Sequence, residues 1–225
     1  MTLTYHTSLQ DAAAVISPIV GDGAGSIVSP SVTFVSGKVG QCAKFDSKLD
    51  YIQYAAPGNV DPAVGTFEFW MRPDFLDTDN EKLMFVSLGN WLESGHFVFG
   101  KHNASNQNRL MLIHFDANGL RRDQTIEAVH WQVAWNKGAW SLIKITWDWN
   151  AAETVQNLHL YSDGVELPIT LLWVAGLGFV GQYSTGQIPT VSAEQLGHGI
   201  IGGRNDHVFR AKCAIDEFKI YDEVV

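Results

Sequence analysis

The chain has 225 residues, of which 46% are hydrophobic and 17% are charged, and its formal net charge at pH 7 is −9. This composition predicts a folded protein with a large core and excludes a disordered chain. The acidic balance disfavours a nucleic-acid partner, since binding to phosphates requires a basic surface. All-β sandwiches often reach this length as one unit, so residues 1–225 are expected to form a single domain, with residues 1–36 as an N-terminal strand and loop.

The start of the chain lacks both the basic residues and the long apolar run of a secretory signal peptide. No apolar run approaches the roughly 20 residues that a membrane span requires. We therefore expect an extracellular or virion-associated protein, which was either trimmed of its signal or leaves its cell without one.

Alternating side chains predict strands in the first third of the chain. Leu3–Tyr5 is a candidate first strand, and Gln41–Tyr54 contains two short alternating runs about a polar turn near Asp46–Lys48. Thr66–Arg72 is a strong strand, because apolar side chains alternate with polar and aromatic ones along it. One face carries Phe67, Phe69 and Met71, and the other carries Glu68, Trp70 and Arg72.

Further strands are predicted along the middle of the chain, where polar connections with Asn and Gly separate short apolar runs. These runs are Leu83–Leu88, Phe97–Phe99, Leu110–Phe115, Ser141–Asp148 and Leu158–Tyr161. Their spacing is typical of an antiparallel sandwich. Residues 175–200 are a long glycine-rich excursion, which we expect either to be functional or to cover a sheet edge.

The last strand, Ala214–Asp222, alternates most clearly. One face is expected to carry Ala214, Asp216, Phe218 and Ile220, and the other Ile215, Glu217, Lys219 and Tyr221. A strand at this position usually pairs with an early one, so we expect it to lie beside Gln41–Tyr54 with Phe218 and Ile220 in the core.

Two cysteines, Cys42 and Cys213, fall on the two strands that are expected to be neighbours, each at a position facing outward. They form either buried free thiols or a cross-strand disulfide. A disulfide would indicate an oxidising location, and the sequence leaves both alternatives open.

Taken in order, several segments resemble the laminin-G-like, concanavalin-A-like jelly-roll family over roughly residues 37–225. The segments are GKVGQCAKFDSKLDYIQY, TFEFWMRP, SLIKITWDW, LYSDGVEL and KCAIDEFKIYDEVV. The resemblance implies an all-β fold, a two-sheet antiparallel jelly-roll sandwich. It does not imply one function, because this fold carries lectins, adhesion modules, glycan-degrading enzymes and virion proteins.

Catalytic motifs are weak. The glucanases of this family hold their acids as Glu-x-Asp-x-Glu on a strand, and the near match here, Asp77–Glu81, follows Pro73 in a loop. Neither G-x-S-x-G nor HExxH occurs. A lyase-like cluster of Arg72, His159 and Tyr161 is a weaker alternative, so we expect no enzyme.

The resemblance also implies a structural calcium ion. Asp216 resembles the aspartate of the glucanases' terminal strand that binds calcium, and Asp46 and Gly40 are candidate additional ligands. Alternatively, Asp216 and Glu217 accept hydrogen bonds from backbone N–H groups or pair with lysines, for which the candidates are Lys44 and Lys212.

Sugar sites combine an exposed aromatic ring with polar side chains that bind hydroxyl groups. Lysine and arginine are absent between Ile145 and Gly203, and such a surface suits neutral sugars or cations better than phosphates. The candidate sugar-binding residues are Trp70, Arg72, Trp91, Asp148, Trp149, Asn157, His159 and Tyr161.

The sequence thus predicts a non-catalytic carbohydrate-binding or adhesion domain of the laminin-G-like lectin type, whose partner is a glycan or a protein surface. The alternative is a structural interaction protein, such as a phage tail or capsid-decoration component of a virion, which would self-associate. A glycoside hydrolase or polysaccharide lyase is a more distant alternative.

Overall fold

A computed structural model describes residues 2–23, 26–76, 79, 81–90, 93–102, 109–115, 121–126, 136–150, 158–169, 171–174, 178–181, 192–203 and 209–225. For residues 121–126, 171–174, 178–181 and 194 it describes the backbone alone.

This part of the chain contains mostly strands. The helices are α1 (Ala12–Ile16) and α2 (Ala193–Leu196), and neither is long or apolar enough to cross a membrane. The strands are β1 (Leu3–Thr7), β2 (Ile27–Val28), β3 (Thr33–Ser36), β4 (Gln41–Phe45), β5 (Ile52–Ala55), β6 (Val64–Pro73), β7 (Leu83–Leu88), β8 (Phe97–His102), β9 (Arg109–Phe115), β10 (Arg121–Ile126), β11 (Ser141–Asp148), β12 (Leu158–Ser162), β13 (Val165–Leu167), β14 (Leu171–Val174), β15 (Gly178–Gly181), β16 (His198–Ile201) and β17 (Cys213–Tyr221).

The strands form two antiparallel sheets. Sheet 1 has the order β13-β12-β11-β6-β17-β4-β3, and β1 pairs with β17 beside β4. Sheet 2 has the order β15-β14-β10-β9-β8-β7-β16-β5-β2. This confirms the all-β, two-sheet antiparallel jelly-roll sandwich. Part of the 175–200 excursion is regular structure, since β15, α2 and β16 lie within it and β16 pairs with both β5 and β7.

The core lies between the sheets and is centred on aromatic rings. Phe218 on β17 is fully buried, and its ring centroid lies 5.7 Å from those of Phe67 and Phe69 on β6. It also lies 5.4 Å from the ring of Tyr54 on β5 of sheet 2. Ile220 is fully buried as well, so the prediction that Phe218 and Ile220 enter the core is confirmed.

The run Gln41–Tyr54 is not a hairpin. Its first strand, β4, pairs with β17 as predicted, but its second, β5, belongs to sheet 2. Between them the Asp50 carboxylate accepts hydrogen bonds from the backbone N–H groups of Asp46 (2.6 Å) and Ser47 (2.7 Å). This turn carries the chain from sheet 1 to sheet 2. The apolar face of β4 and the apolar face of β5 both pack on the core between the sheets.

A β-bulge at Glu217 changes which residues of β17 face the core. Glu217 has φ 51°, and the register against β6 shifts between Asp216 and Lys219. Ile215 pairs with the buried Met71 and belongs to the core, whereas Asp216 lies opposite Trp70 on the outer face. The expected inward set of Ala214 and Asp216 and outward Ile215 was wrong, because the extra residue of a bulge reverses the alternation.

The register of β17 on β4 separates the cysteines. Cys213 pairs with Phe45 and faces the core, whereas Cys42 lies on the outer face, three positions farther along β4. Both are buried free thiols. The expected outward position of Cys213 was wrong. Three strand positions span about 10 Å, beyond the Cα separation that a disulfide allows, so this register does not form the bridge.

Gly202 tests how tightly the core packs under β4. It has φ 92°, and a Cβ there would overlap the ring of Phe45. We expect Gly202→Ala to lower the free energy of unfolding by about 1–3 kcal/mol more than Gly138→Ala, measured by urea denaturation. Gly138 is the matched control, because its φ is 80° and a Cβ there meets nothing within 4 Å. Equal losses would mean that Phe45 moves aside freely.

Candidate functional site

The outer face of sheet 1, which points away from sheet 2, carries a row of polar side chains. The pairing register places them side by side across β13, β12, β11, β6, β17 and β1: Glu166, Tyr161, Lys144, Glu68, Lys219 and His6. Glu68 lies in the middle, with Lys219 Nζ at 3.4 Å and Lys144 Nζ at 3.8 Å from its carboxylate oxygens. These charges therefore compensate one another within the sheet.

Trp70 and Arg72 lie on this outer face, as predicted, but both already take part in cation–π contacts within the chain. The ammonium of Lys38 lies 4.4 Å from the ring centroid of Trp70. The guanidinium of Arg72 lies 5.1 Å from the ring centroid of Trp140. A sugar that stacked on either ring would displace a cation–π contact, so neither ring offers an open platform.

His159 and Tyr161 lie together on β12. Their rings are stacked with centroids 6.2 Å apart, and His159 Nδ1 lies 2.6 Å from a carboxylate oxygen of Glu166. Tyr161 also lines a pocket of about 250 Å³ beside the tight turn at Gly164. Arg72 is two strands away and four positions farther along β6 than the row of Tyr161, so the three do not form a lyase-like cluster.

The other predicted sugar residues do not join this group. Asp148 ends β11, where its carboxylate accepts the N–H of Asn150 at 2.9 Å, and it lies at the opposite end of the sheet from Arg72. Trp149, which we expected to be accessible, is only 7% exposed and packs on His114 at a centroid distance of 4.9 Å. Its place is in the core, because it follows the last outward residue of β11. Trp91 and Asn157 lie outside the described residues.

A larger opening lies at one end of the sandwich, where the connections β4–β5, β6–β7 and β16–β17 meet. It has a volume of about 620 Å³ and is open to solvent. We call it the loop-end cleft, and its lining consists of Asp46, Ser47, Lys48, Glu81, Lys82, Phe209 and Arg210. Its size falls within the range of about 300–1,000 Å³ that is common for ligand sites.

Ion pairs fix the loops around the cleft. One guanidinium nitrogen of Arg210 lies 2.8 Å from Glu81 Oε1, and the other donates to the backbone carbonyl of Asp46 at 3.4 Å. Lys212 Nζ lies 3.0 Å from Asp79 Oδ2. The fully buried Lys101 donates from Nζ to the carbonyl oxygens of Asp79 and Glu81. Residues that are far apart in sequence are thus joined into one rigid floor.

These ion pairs also lower the pKa values of two carboxylates of the acidic loop, Asp79 and Glu81. The hydrogen bond from Lys212 lowers the pKa of Asp79. Burial would raise the pKa of Glu81, but the hydrogen bond and charge of Arg210, with Lys212, outweigh it and hold that pKa below its ordinary value. A glycosidase needs one carboxyl group with a raised pKa, and neither Asp79 nor Glu81 has one. Asp77 lies outside the described residues.

The structure places the predicted calcium ligands in two places. Asp216 Oδ2 accepts the Val39 N–H at 2.8 Å, and within the part of the chain that the structure describes its buried Oδ1 has no hydrogen-bond partner. Gly40 lies in the same turn, but its carbonyl accepts the N–H of Gly37 at 2.9 Å. Asp46 is four positions farther along the β4–β17 ladder, about 13 Å away. Among the described residues, no group of three or more His, Cys, Asp or Glu is arranged to hold a metal ion.

The alternative reading of Asp216 and Glu217 is confirmed in part. Asp216 does accept a backbone N–H, and Glu217 lies 2.7 Å from His6 Nε2 rather than beside either predicted lysine. Lys44 pairs instead with Asp46 at 2.9 Å.

Most of the cleft was not predicted from the sequence. Asp46 was predicted only as a metal ligand, and Lys48, Lys82, Phe209 and Arg210 were not predicted as site residues. One sequence signal could have indicated these residues as a group. Each of them lies in a polar connection that leads into a predicted strand of the antiparallel fold. The crossing of Gln41–Tyr54 between sheets, which brings Lys48 to the cleft, was not predicted.

Comparisons with known proteins show the fold. No protein-family model matches the chain, and no curated protein matches it. The binding domain of Paraclostridial Mosquitocidal Protein 1 is 13% identical, with a TM-score of 0.61 over 99% of this chain and 49% of that one. The binding domain of botulinum neurotoxin serotype D is 12% identical, with a TM-score of 0.61 over 100% and 48%.

Trypanosoma rangeli sialidase, solved with 2,3-difluorosialic acid as a covalent intermediate, is 13% identical, with a TM-score of 0.58 over 99% of this chain and 31% of the sialidase. The chain thus spans about half of the toxin binding domains and about a third of the sialidase. At these identities the likeness is one of fold.

Asp216 makes stability depend on pH. Burial raises its pKa, as does the neighbouring Glu217, and the hydrogen bond from Val39 only partly offsets this. The folded state then holds this proton more tightly than the unfolded state, so the contribution of Asp216 to stability is greatest below the ordinary pKa of about 3.9 and is lost as the pH rises through the raised pKa.

We expect wild type to lose free energy of unfolding relative to Asp216→Asn across this pH range, measured by urea denaturation at a series of pH values. Asp148→Asn is the control, since Asp148 is half-exposed on the same face. The raised pKa would be contradicted if the free energy of unfolding of wild type rose relative to that of Asp216→Asn as the pH increased. It would also be contradicted if the difference between the two proteins stayed constant.

Proposed function

We propose that this chain is a non-catalytic carbohydrate-binding domain and that it binds sugar in the loop-end cleft. The observation that carries the proposal is the cleft itself, an open volume of about 620 Å³ with an aromatic ring, a hydroxyl, carboxylates and cations on its walls. The ring of Phe209 can pack on the C–H face of a sugar, while the exposed Asp46 carboxylate accepts hydrogen bonds from its hydroxyl groups. Ser47 Oγ, which donates to Asp50, can add a further acceptor.

The geometry favours the cleft over the outer face of sheet 1. On the outer face, cations of the chain cover Trp70 and Arg72 lies on Trp140, and the pocket beside Tyr161 holds only about 250 Å³. At the cleft, Asp46 and Ser47 are exposed and Phe209 is partly so. The polar groups therefore reach solvent where a ligand can meet them.

The state of the carboxylates supports binding without catalysis. Glu81 is paired with Arg210 and Lys212, and its pKa is lowered. A carboxylate held in this way remains ionised at neutral pH and does not act as a general acid. The toxin neighbours are themselves binding domains, which supports the same function here.

Phe209→Ala tests the location of the site. We expect it to weaken binding to the best ligand of a glycan array by about 5–50-fold, because loss of a stacking ring costs about 1–2 kcal/mol. Tyr161→Ala, which removes a partly exposed ring of the outer face, is the control and should bind like wild type.

Since Phe209 also packs on a buried cluster of sheet 2 that includes Met84 and Met111, Asp46→Ala provides a second variant that leaves this packing intact. It should weaken the same ligand by about threefold to tenfold. Loss of binding in Tyr161→Ala but not in the two cleft variants would move the site to sheet 1. No binding to any sugar by folded wild type would refute the proposed function.

We further propose that calcium binds at Asp216. The buried, unpartnered Oδ1 is the hard oxygen that such an ion takes, although the predicted ligand Asp46 lies too far away to contribute. Calcium at about 1 mM should then raise the Tm of wild type and leave that of Asp216→Asn unchanged, since a ligand that binds only the folded state stabilises it. A Tm that does not respond to calcium or to a chelator would contradict this proposal.

A further inference from the structure

We infer that the ligand of the loop-end cleft is an anionic saccharide, one that carries carboxylate or sulfate groups, rather than a neutral sugar. The inference rests on the proposed function, because it concerns the same cleft. The charge balance of the cleft carries it, and that balance is opposite to the charge of the whole chain.

Among the residues that the structure describes, the lining holds the cations Lys48, Lys82 and Arg210 against the carboxylates Asp46 and Glu81. Both carboxylates already form ion pairs with cations of the chain, some in the lining and some outside it. Lys44 Nζ lies 2.9 Å from Asp46 Oδ2, and Glu81 accepts from Arg210 at 2.8 Å with Lys212 at 3.5 Å. The charge that is left over in the cleft is therefore positive.

That positive charge resides on Lys48 and Lys82. Both side chains are exposed, and neither has an ion-pair or hydrogen-bond partner in the part of the chain that the structure describes. They come from different connections, one between β4 and β5 and the other just before β7. An anion that entered the cleft would be the partner of both.

The backbone under each lysine is held in place. On one side, Asp50 accepts the N–H groups of Asp46 and Ser47 and the hydroxyl of Ser47, which fixes the turn that carries Lys48. On the other, Lys82 follows Glu81, which Arg210 and Lys101 hold from below. Fixed stems reduce the entropy that is lost when two cations close on one anion.

The acidic surface elsewhere does not cancel this charge. The chain carries a net charge of −9, but charges in salt solution are screened over about 8 Å at physiological ionic strength. A ligand in the cleft thus responds mainly to Lys48 and Lys82. The expectation of neutral sugars came from a segment without lysine or arginine, and that segment contributes none of the residues that line the cleft.

The test compares matched polysaccharides that differ only in charge. Dextran sulfate is set against dextran, and polygalacturonate against its methyl ester, with binding measured to wild type, Lys48→Gln, Lys82→Gln and Lys137→Gln. Lys137 is the control, since it is an exposed lysine outside the cleft and its replacement changes the net charge equally.

We expect wild type to bind a charged member of at least one pair more tightly than its neutral match, and to lose that binding as NaCl rises from about 50 to 500 mM. Lys48→Gln and Lys82→Gln should each weaken it by about fivefold, as expected for a solvent-accessible ion pair, and Lys137→Gln by much less. Preference for dextran sulfate over dextran would indicate a sulfate ligand, and preference for polygalacturonate over its methyl ester would indicate a carboxylate ligand.

Other results would overturn the inference. Equal binding of charged and neutral members, weakened by Phe209→Ala, would keep the glycan function and refute the anionic ligand. Binding of charged members that Lys137→Gln weakens as much as the cleft variants would place the anion elsewhere. If no polysaccharide and no glycan on the array binds, the proposed function fails as well.

Discussion

Aromatic contacts across the core join the two sheets, and Phe218 lies at their centre. Phe218 of β17 touches Phe67 and Phe69 in its own sheet and Tyr54 in the other. Because β17 pairs with β6 on one side and with β4 and β1 on the other, this ring ties the middle of sheet 1 to sheet 2. The bulge at Glu217 is what turns Phe218 inward, and it also leaves Asp216 buried on the outer face.

The loop-end cleft follows from the same arrangement. Crossing from β4 to β5 brings Lys48 to one end of the sandwich, and the connections before β7 and β17 bring Lys82 and Arg210 to the same end. Ion pairs then replace a hydrophobic core in ordering these loops, with Lys101 anchoring them from inside. A rigid scaffold thus presents polar residues that are not needed for its own stability, and such residues are available for recognition.

Local alternation predicted much of the fold and little of the site. Thr66–Arg72 and Ser141–Asp148 were predicted correctly because each strand buries one face, and burial leaves a period of two in the sequence. The bulge at Glu217 leaves no such trace, since one added residue reads as ordinary alternation. Phe209 and Lys82 are distant in sequence, and their meeting depends on topology that local patterns do not contain. Trp149 shows the converse, since a tryptophan beside polar residues can still be buried.

The pairing of β1 with β17 joins Leu3 to Tyr221. During synthesis on a ribosome, the first strand emerges long before its partner exists, and sheet 1 stays open at its centre until β17 has left the exit tunnel. Contacts of such long sequence separation slow folding, and an incomplete sheet exposes edges on which chains can associate. The nascent protein therefore spends most of its translation without a closed core, a period in which chaperone binding would matter most.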